Sequence, residues 1–258
     1  MKVSFSSTLV AVALVATLPL HAASLNLTAP LASGLINGAY FTNTDVGSTG
    51  TGVISSFVRV QDNGIADGYN ATARPVMTDV NTSPTFTHDL QLIAVPIVVN
   101  PTGAPAGSYY EFLLDINQTA ANPLLSLDSI DIYTRSTALA TAALLSDLTA
   151  APSVLRYSLD TGGQNEILLN YVLNSGSGSG DLFAYIPVSY FAGALSTDYV
   201  YFYSMFGAKG GDYAENDGFE EWAVRTPTTP SKVPDGGVTV ILLGGALLTV
   251  GMLRRRIS

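Results

Sequence analysis

The sequence has 258 residues, a net charge of −9 and no cysteine. The lack of cysteine excludes disulfide bonds, thiol catalysis and metal sites built on thiolates. The excess of acidic over basic residues argues against nucleic acid as a partner, because such a surface repels phosphate groups. A folded domain in this chain must therefore be stabilised by packing and hydrogen bonds, or by bound ions.

The first 22 residues have the pattern of a secretory signal peptide. Lys2 precedes an apolar stretch at residues 9–18, and the residues up to Ala22 are typical of a signal peptidase site. We predict cleavage before Ala23, and a short first transmembrane helix is the alternative. A single domain is then predicted for residues 23–225.

The first half of this domain alternates apolar and polar residues over short stretches, as β-strands do. Residues rich in Gly, Ser, Thr and Asn come before the first clear strand, which is typical of loops. The predicted elements are a loop at 24–52 with one edge strand at 39–42, and strands at 54–61, at 85–100 (broken by Pro96), at 108–118 and at 125–134.

Residues 136–151 are rich in alanine and leucine and predict a short helix or a turn of one. Strand patterns then return at 155–160, 167–173 and 182–188, and we predict that the last two form a hairpin around the Gly/Ser loop 175–180. The final predicted strands are 199–204 and 219–226. About eight strands with little helix predict an all-β fold, a β-sandwich with jelly-roll topology, and an immunoglobulin-like topology is the alternative.

The C-terminal tail has three parts in a fixed order. A Thr/Pro linker at 226–232 leads to the motif Val233, Pro234, Asp235, Gly236, Gly237, and an uncharged apolar run at 238–253 is followed by Arg254, Arg255 and Arg256. Sixteen helical residues span roughly 24 Å, against about 30 Å for a bilayer core, so the run predicts a minimal single transmembrane helix. A buried core helix is the alternative. The arginines predict that this end stays in the cytoplasm and that the domain lies across the membrane.

This layout of residues 233–258 resembles the C-terminal sorting signal of PEP-CTERM proteins, in the variant with a Val-Pro-Asp motif. The commonest form of that signal has Pro-Glu-Pro in place of this motif. The sortase motif Leu-Pro-x-Thr-Gly is absent, and a GPI signal ends in its apolar tail. The resemblance implies an exosortase as partner, anchoring in the inner membrane by the C-terminal helix, and then release to the cell surface or the medium.

Three further stretches are similar to ectodomains found in a set of PEP-CTERM proteins. These are residues 173–193, residues 216–225 and, more loosely, residues 57–70. The resemblance brings no assigned activity for the ectodomain. It implies an association with secreted matrix, exopolysaccharide and biofilm or floc formation.

Candidate catalytic groups are sparse. His88 is the single histidine after the predicted signal peptide, and no serine follows the G-x-S-x-G pattern of a nucleophile. A glycoside hydrolase needs two carboxylates about 5 to 10 Å apart, and the sequence cannot pair its acidic side chains. The acidic candidates for such a pair are Glu111, Asp115, Glu166, Glu215, Glu220 and Glu221.

Two Asp/Asn/Gly clusters predict either ordinary turns or a structural calcium site. The clusters contain Asp62, Asn63 and Asp67, and Asp212, Glu215 and Asp217. Calcium takes six to eight oxygen ligands from such groups, but neither cluster has the EF-hand spacing. Turns are the default interpretation, and calcium is the one cofactor for which the sequence offers residues.

The alternating tyrosines Tyr199, Tyr201 and Tyr203 fall on one face of a predicted strand. An exposed face would offer a carbohydrate-binding platform, whereas an inward face would be core, which is the commoner outcome for strand aromatics. We therefore expect an exported, non-catalytic surface or matrix protein. The alternatives are a calcium-assisted carbohydrate-binding domain, whose partner would be an extracellular polysaccharide, and a secreted glycoside hydrolase.

Overall fold

The computed structural model describes residues 22–43, 54–175 and 180–225. The predicted signal peptide before Ala22, the linker and the whole C-terminal tail lie outside the described residues. The strands are β1 (Ser24–Asn26), β2 (Ser33–Ile36), β3 (Ala39–Thr42), β4 (Ile54–Val60), β5 (Ala66–Tyr69), β6 (Leu90–Gln91), β7 (Ile97–Val99), β8 (Ser108–Asp115), β9 (Leu124–Arg135), β10 (Val154–Ser158), β11 (Glu166–Asn170), β12 (Leu182–Pro187), β13 (Tyr199–Phe206) and β14 (Glu220–Arg225).

The strands form two seven-stranded sheets. The first has the order β1-β11-β9-β13-β5, with β10 also paired to β9 and β6 to β13. The second has the order β2-β3-β12-β8-β14-β4, with β7 also paired to β8. All pairs are antiparallel except β1 with β11. The expected all-β fold is confirmed.

The two sheets pack face to face through aromatic side chains. The ring of Phe202 in β13 lies 5.0 Å from that of Phe112 in β8 and 4.4 Å from that of Trp222 in β14, measured between centroids. Trp222 is fully buried, and its indole N–H donates to Ser204 Oγ at 3.1 Å. These contacts make the domain a β-sandwich with one main core, and the jelly-roll topology remains our interpretation of its strand crossings.

Helix is scarce in the described part of the chain. One short α-helix, α1, covers Leu145–Thr149, and 3-10 turns occur at Leu92–Ala94, Tyr171–Leu173, Val188–Phe191 and Gly211–Tyr213. The short helix predicted within 136–151 is therefore present as α1, and it is confined to the end of that range. The alanines are held in an irregular segment by tertiary contacts, including a bridge between Ala142 and Val76 and a hydrogen bond from the Tyr69 hydroxyl to Leu144 O.

Two further expectations are corrected by the sheet order. Strands β11 and β12 do not form a hairpin, because β11 lies in the first sheet and β12 lies in the second, between β3 and β8. The segment 24–43 is not mainly loop: it contributes β1, β2 and β3, and β3 is an interior strand, not an edge.

No helix of the described residues is long and apolar enough to cross a membrane. The predicted transmembrane run at 238–253 lies outside the described residues.

Candidate functional site

The two Asp/Asn/Gly clusters, distant in sequence, meet in the structure. Gly64 N donates to Glu215 O at 2.9 Å, and Glu215 N donates to Gly64 O at 3.0 Å, so the loop after β4 and the segment before β14 form a two-residue antiparallel bridge. Gly207, directly after β13, lies behind this bridge with a φ of +81°. A Cβ on Gly207 would come within 2.0 Å of Gly64 O, so this position admits only glycine.

An open cleft of about 280 Å³ lies where the loops meet. Its walls are polar and acidic. The lining residues are Gln61, Asp62, Asn63, Glu215, Asn216 and Asp217. The cleft therefore contains four of the six residues proposed above for calcium, taken from both clusters.

Glu215 is the unusual member of this group. Its side chain is 2% exposed, and neither carboxylate oxygen has a hydrogen-bond partner. Burial is the largest effect on its pKa, which rises to about 7, and the negative charges of Asp62, Asp217 and Asp79 also raise it. The Asp62 backbone N–H is near enough to lower this pKa but does not make a hydrogen bond of normal geometry.

The other acidic groups of the cleft are exposed at its rim. Asp62 Oδ1 accepts the backbone N–H of Asn63 at 2.7 Å, and Asp217 Oδ1 accepts that of Gly218 at 3.0 Å. Asn216 joins the cleft to the loop between β8 and β9, because its Oδ1 accepts the N–H of Thr119 at 2.9 Å. The cleft thus has a hydrogen-bonded floor and two carboxylates on the solvent side.

More carboxylates lie in the interior behind the cleft. Glu220 is fully buried, and burial raises its pKa well above the usual value although it accepts hydrogen bonds from Gln118 Nε2 and Asn117 N. Burial likewise raises the pKa of Asp181 to about 9, with Asp115 and Glu220 adding to the effect and the N–H of Ile116 opposing it. Asp181 Oδ1 has no hydrogen-bond partner. This end of the sandwich therefore concentrates buried carboxyl groups whose raised pKa values favour their protonated form.

The remaining two proposed calcium ligands are elsewhere. Asp67 belongs to strand β5, not to a loop, and its Oδ2 accepts the Tyr203 hydroxyl at 2.9 Å. Asp212 is exposed in the 3-10 turn Gly211–Tyr213 and does not line the cleft. Over the described ranges, no three His, Cys, Asp or Glu side chains converge as a ready-made metal site.

The three tyrosines of β13 are packed against other residues and are not exposed on the surface. Tyr201 is fully buried and Tyr203 is 6% exposed, and Tyr199 is half-buried against Tyr201. The Tyr201 hydroxyl donates to Asp89 Oδ1 at 3.2 Å and accepts the N–H of Leu139 at 2.8 Å. Burial therefore supports the core alternative for these residues and not an exposed sugar platform.

Three of the candidate catalytic carboxylates are held by basic side chains. Glu111, Glu166 and Glu221 each form an ion pair, and these pairs are with Arg225, Lys209 and Arg59, respectively. His88 Nδ1 is buried without a hydrogen-bond partner, and the neighbouring Asp89 accepts hydrogen bonds from Tyr201 and Thr72.

A second cavity, of about 370 Å³, adjoins the start of the described chain and is also acidic, with Asp128, Asp160 and Glu166 in its wall. Ala23 N donates to Asn165 Oδ1 at 2.7 Å, and Ala23 O accepts the N–H of Glu166 at 3.0 Å. Cleavage before Ala23, as predicted, would place the new amino group beside these carboxylates.

Comparison with known protein families identifies the C-terminal tail. Residues 232–257 match the VPDSG-CTERM motif. The match supports a sorting signal of the PEP-CTERM type at the C-terminus, and this signal suggests an exported, membrane-anchored protein. In this chain Gly236 occupies the position of the serine in the motif's name. No curated protein and no solved structure matches the chain.

Proposed function

We propose that this chain is an exported bacterial protein whose C-terminal signal is processed by an exosortase, and whose domain acts outside the cell without catalysing a reaction. The motif at 232–257 carries this proposal. The apolar run 238–253 would hold the chain in the inner membrane, and Arg254, Arg255 and Arg256 would keep its end in the cytoplasm. Cleavage near Val233 to Gly237 would then release the domain.

The position of the last strand supports processing at this place. Strand β14 ends at Arg225, and the region that matches the sorting signal begins at Lys232. All the strands of the described residues lie before residue 226, so a cut in the motif would leave both sheets intact. Six residues, 226–231, separate the strand from this matched region, and two of them are prolines.

We propose a structural or adhesive role in the extracellular matrix for the domain, with exopolysaccharide as the partner class. The tyrosines and several acidic groups that could have formed a binding or catalytic surface are used in the core and in ion pairs. The net charge of −9 suits a domain that stays dispersed in a hydrated matrix.

Cell fractionation of a motif variant tests the sorting proposal. The double substitution Pro234→Ala and Asp235→Ala should leave the full-length protein in the inner membrane. Deletion of the exosortase should have the same effect on the unchanged chain. The matched control replaces Thr228 and Thr229 in the spacer by serine and should be released normally. Normal release of the motif variant, or of the unchanged chain without exosortase, would contradict the proposal.

A further inference from the structure

We propose that the cleft between the loop after β4 and the segment before β14 binds one calcium ion, with Glu215 as the buried ligand and Asp62 and Asp217 as the ligands at the rim. This site is independent of the sorting signal, and it would make the stability of the exported domain depend on calcium in its surroundings.

The first argument is the state of Glu215. A buried carboxylate without partners is costly, and nearly all buried polar atoms in folded proteins have a hydrogen-bond partner. Here both oxygens are buried and unpaired at the back of a cleft that opens to solvent. A cation entering the cleft would give this carboxylate the partner that it lacks.

The second argument is that no side chain of the described domain supplies the missing positive charge. Three basic residues, Arg59, Lys209 and Arg225, are paired with other glutamates. The others donate to backbone carbonyls and hydroxyls at separate places: Arg74 to Thr82 O, Arg135 to Ser153 Oγ and Arg156 to Thr134 Oγ1. The balancing charge for Glu215 must therefore come from solution.

The chemistry of the walls selects the ion. The side chains that line the cleft offer a metal ion only carboxylate and amide oxygens as ligands, and no imidazole or thiolate lines it. Such hard ligands suit calcium, which accepts irregular geometry, better than zinc or copper. Asp62 and Asp217 are exposed and can turn toward Glu215, and this movement would convert the present arrangement into a ligand set.

Protonation of Glu215 is the competing explanation, because a neutral carboxyl group would also avoid a buried charge. The two explanations separate above the pKa of this group, where the protein without calcium must hold an unpaired carboxylate. Calcium should then stabilise the protein, whereas protonation alone predicts no response to the ion.

Thermal unfolding of the full-length chain in detergent, followed by the fluorescence of the buried Trp222, provides the test. The protein is stripped with EDTA, returned to metal-free buffer at about pH 8.5 and heated with and without about 10 mM CaCl₂, an excess over the affinity usual for extracellular sites. We expect calcium to raise the Tm by about 5–10 °C, as a hundredfold excess over Kd would do for a domain of this size. Magnesium at the same concentration should raise it less.

Two variants locate the ion. Glu215→Gln should lose the calcium response and should keep or raise the Tm in EDTA, because the unpaired charge is gone. Asp212→Asn removes one negative charge from the same loop, outside the cleft, and should keep the full response. Asp62→Asn, at an exposed position, should weaken calcium binding severalfold in a calorimetric titration. This variant tests the location of the ion if Glu215→Gln does not fold.

Three results would overturn the proposal. The first is a wild-type Tm at pH 8.5 that does not respond to calcium, together with no calorimetric binding. The second is an undiminished response in Glu215→Gln or, if that variant does not fold, unchanged affinity in Asp62→Asn. The third is an equal effect of magnesium and calcium, which would indicate general screening of the acidic surface.

Discussion

Gly207 offers the sharpest test of how the cleft is built. Its φ of +81° lies in the left-handed region, which costs a residue with a side chain roughly 1–2 kcal/mol. In Gly207→Ala the new Cβ would also come within 2.0 Å of Gly64 O and 2.8 Å of Glu215 N. Backbone atoms cannot turn aside as a side chain can, so the bridge between Gly64 and Glu215 must open.

The two hydrogen bonds of that bridge contribute about 1 kcal/mol each. Together with the backbone strain, we expect Gly207→Ala to lower the free energy of unfolding by about 3–4 kcal/mol. The matched control is Gly193→Ala. Gly193 has a φ of +82°, close to that of Gly207, but nothing within 4 Å of its Cβ position, so only the strain of about 1–2 kcal/mol should appear.

Urea unfolding of both variants, followed by Trp222 fluorescence, measures the difference. The chain should be tested in EDTA, so that loss of bound calcium does not enter the comparison. Equal losses in Gly207→Ala and Gly193→Ala would refute the inference that the bridge depends on a close backbone approach at Gly207.

Two further predictions concern the buried acid and the start of the domain. Asp181, with its pKa raised to about 9, keeps a proton in the folded state that the unfolded chain releases near pH 4, so the free energy of unfolding should fall as pH rises between these values. Urea midpoints in EDTA at several pH values should show this fall, with a smaller fall in Asp181→Asn; an unchanged pH dependence in that variant would assign the effect to other groups. N-terminal sequencing of the exported protein should begin at Ala23, where the backbone is held by Asn165 and Glu166, and a start after Asn26 would contradict this, because it would remove strand β1.

Strands with strong alternation were predictable from sequence, and the pairing between sheets was not. The patterns in β8, β9, β13 and β14 gave bounds close to the observed ones because one face of each strand is buried in the core. Strand β5 was missed because Ala66-Asp67-Gly68-Tyr69 contains two residues with low β propensity, and pairing with β13 holds it in place. Alternation also says nothing about which sheet a strand joins, and this is why the predicted hairpin of β11 and β12 was wrong.

The candidate site was predictable only in composition. The sequence identified Asp62 and Glu215 as members of turn-rich clusters, but their meeting depends on a contact across 150 residues that no local pattern encodes. The burial of Glu215 was likewise invisible, because acidic residues in Gly-rich loops are usually exposed. Gly207 was a possible signal, since a glycine directly after a strand can mark a close backbone approach.

The way in which β14 is held has a mechanical consequence for a protein tethered at its C-terminus. The strand is hydrogen-bonded to β4 on one side and to β8 on the other, and Arg225 at its end forms an ion pair with Glu111 of β8. These backbone hydrogen bonds run across the strand, so a pull along the chain from the membrane side would load them together in shear, not one after another. While the anchor is attached, the point of attachment would be among the parts of the domain most resistant to force.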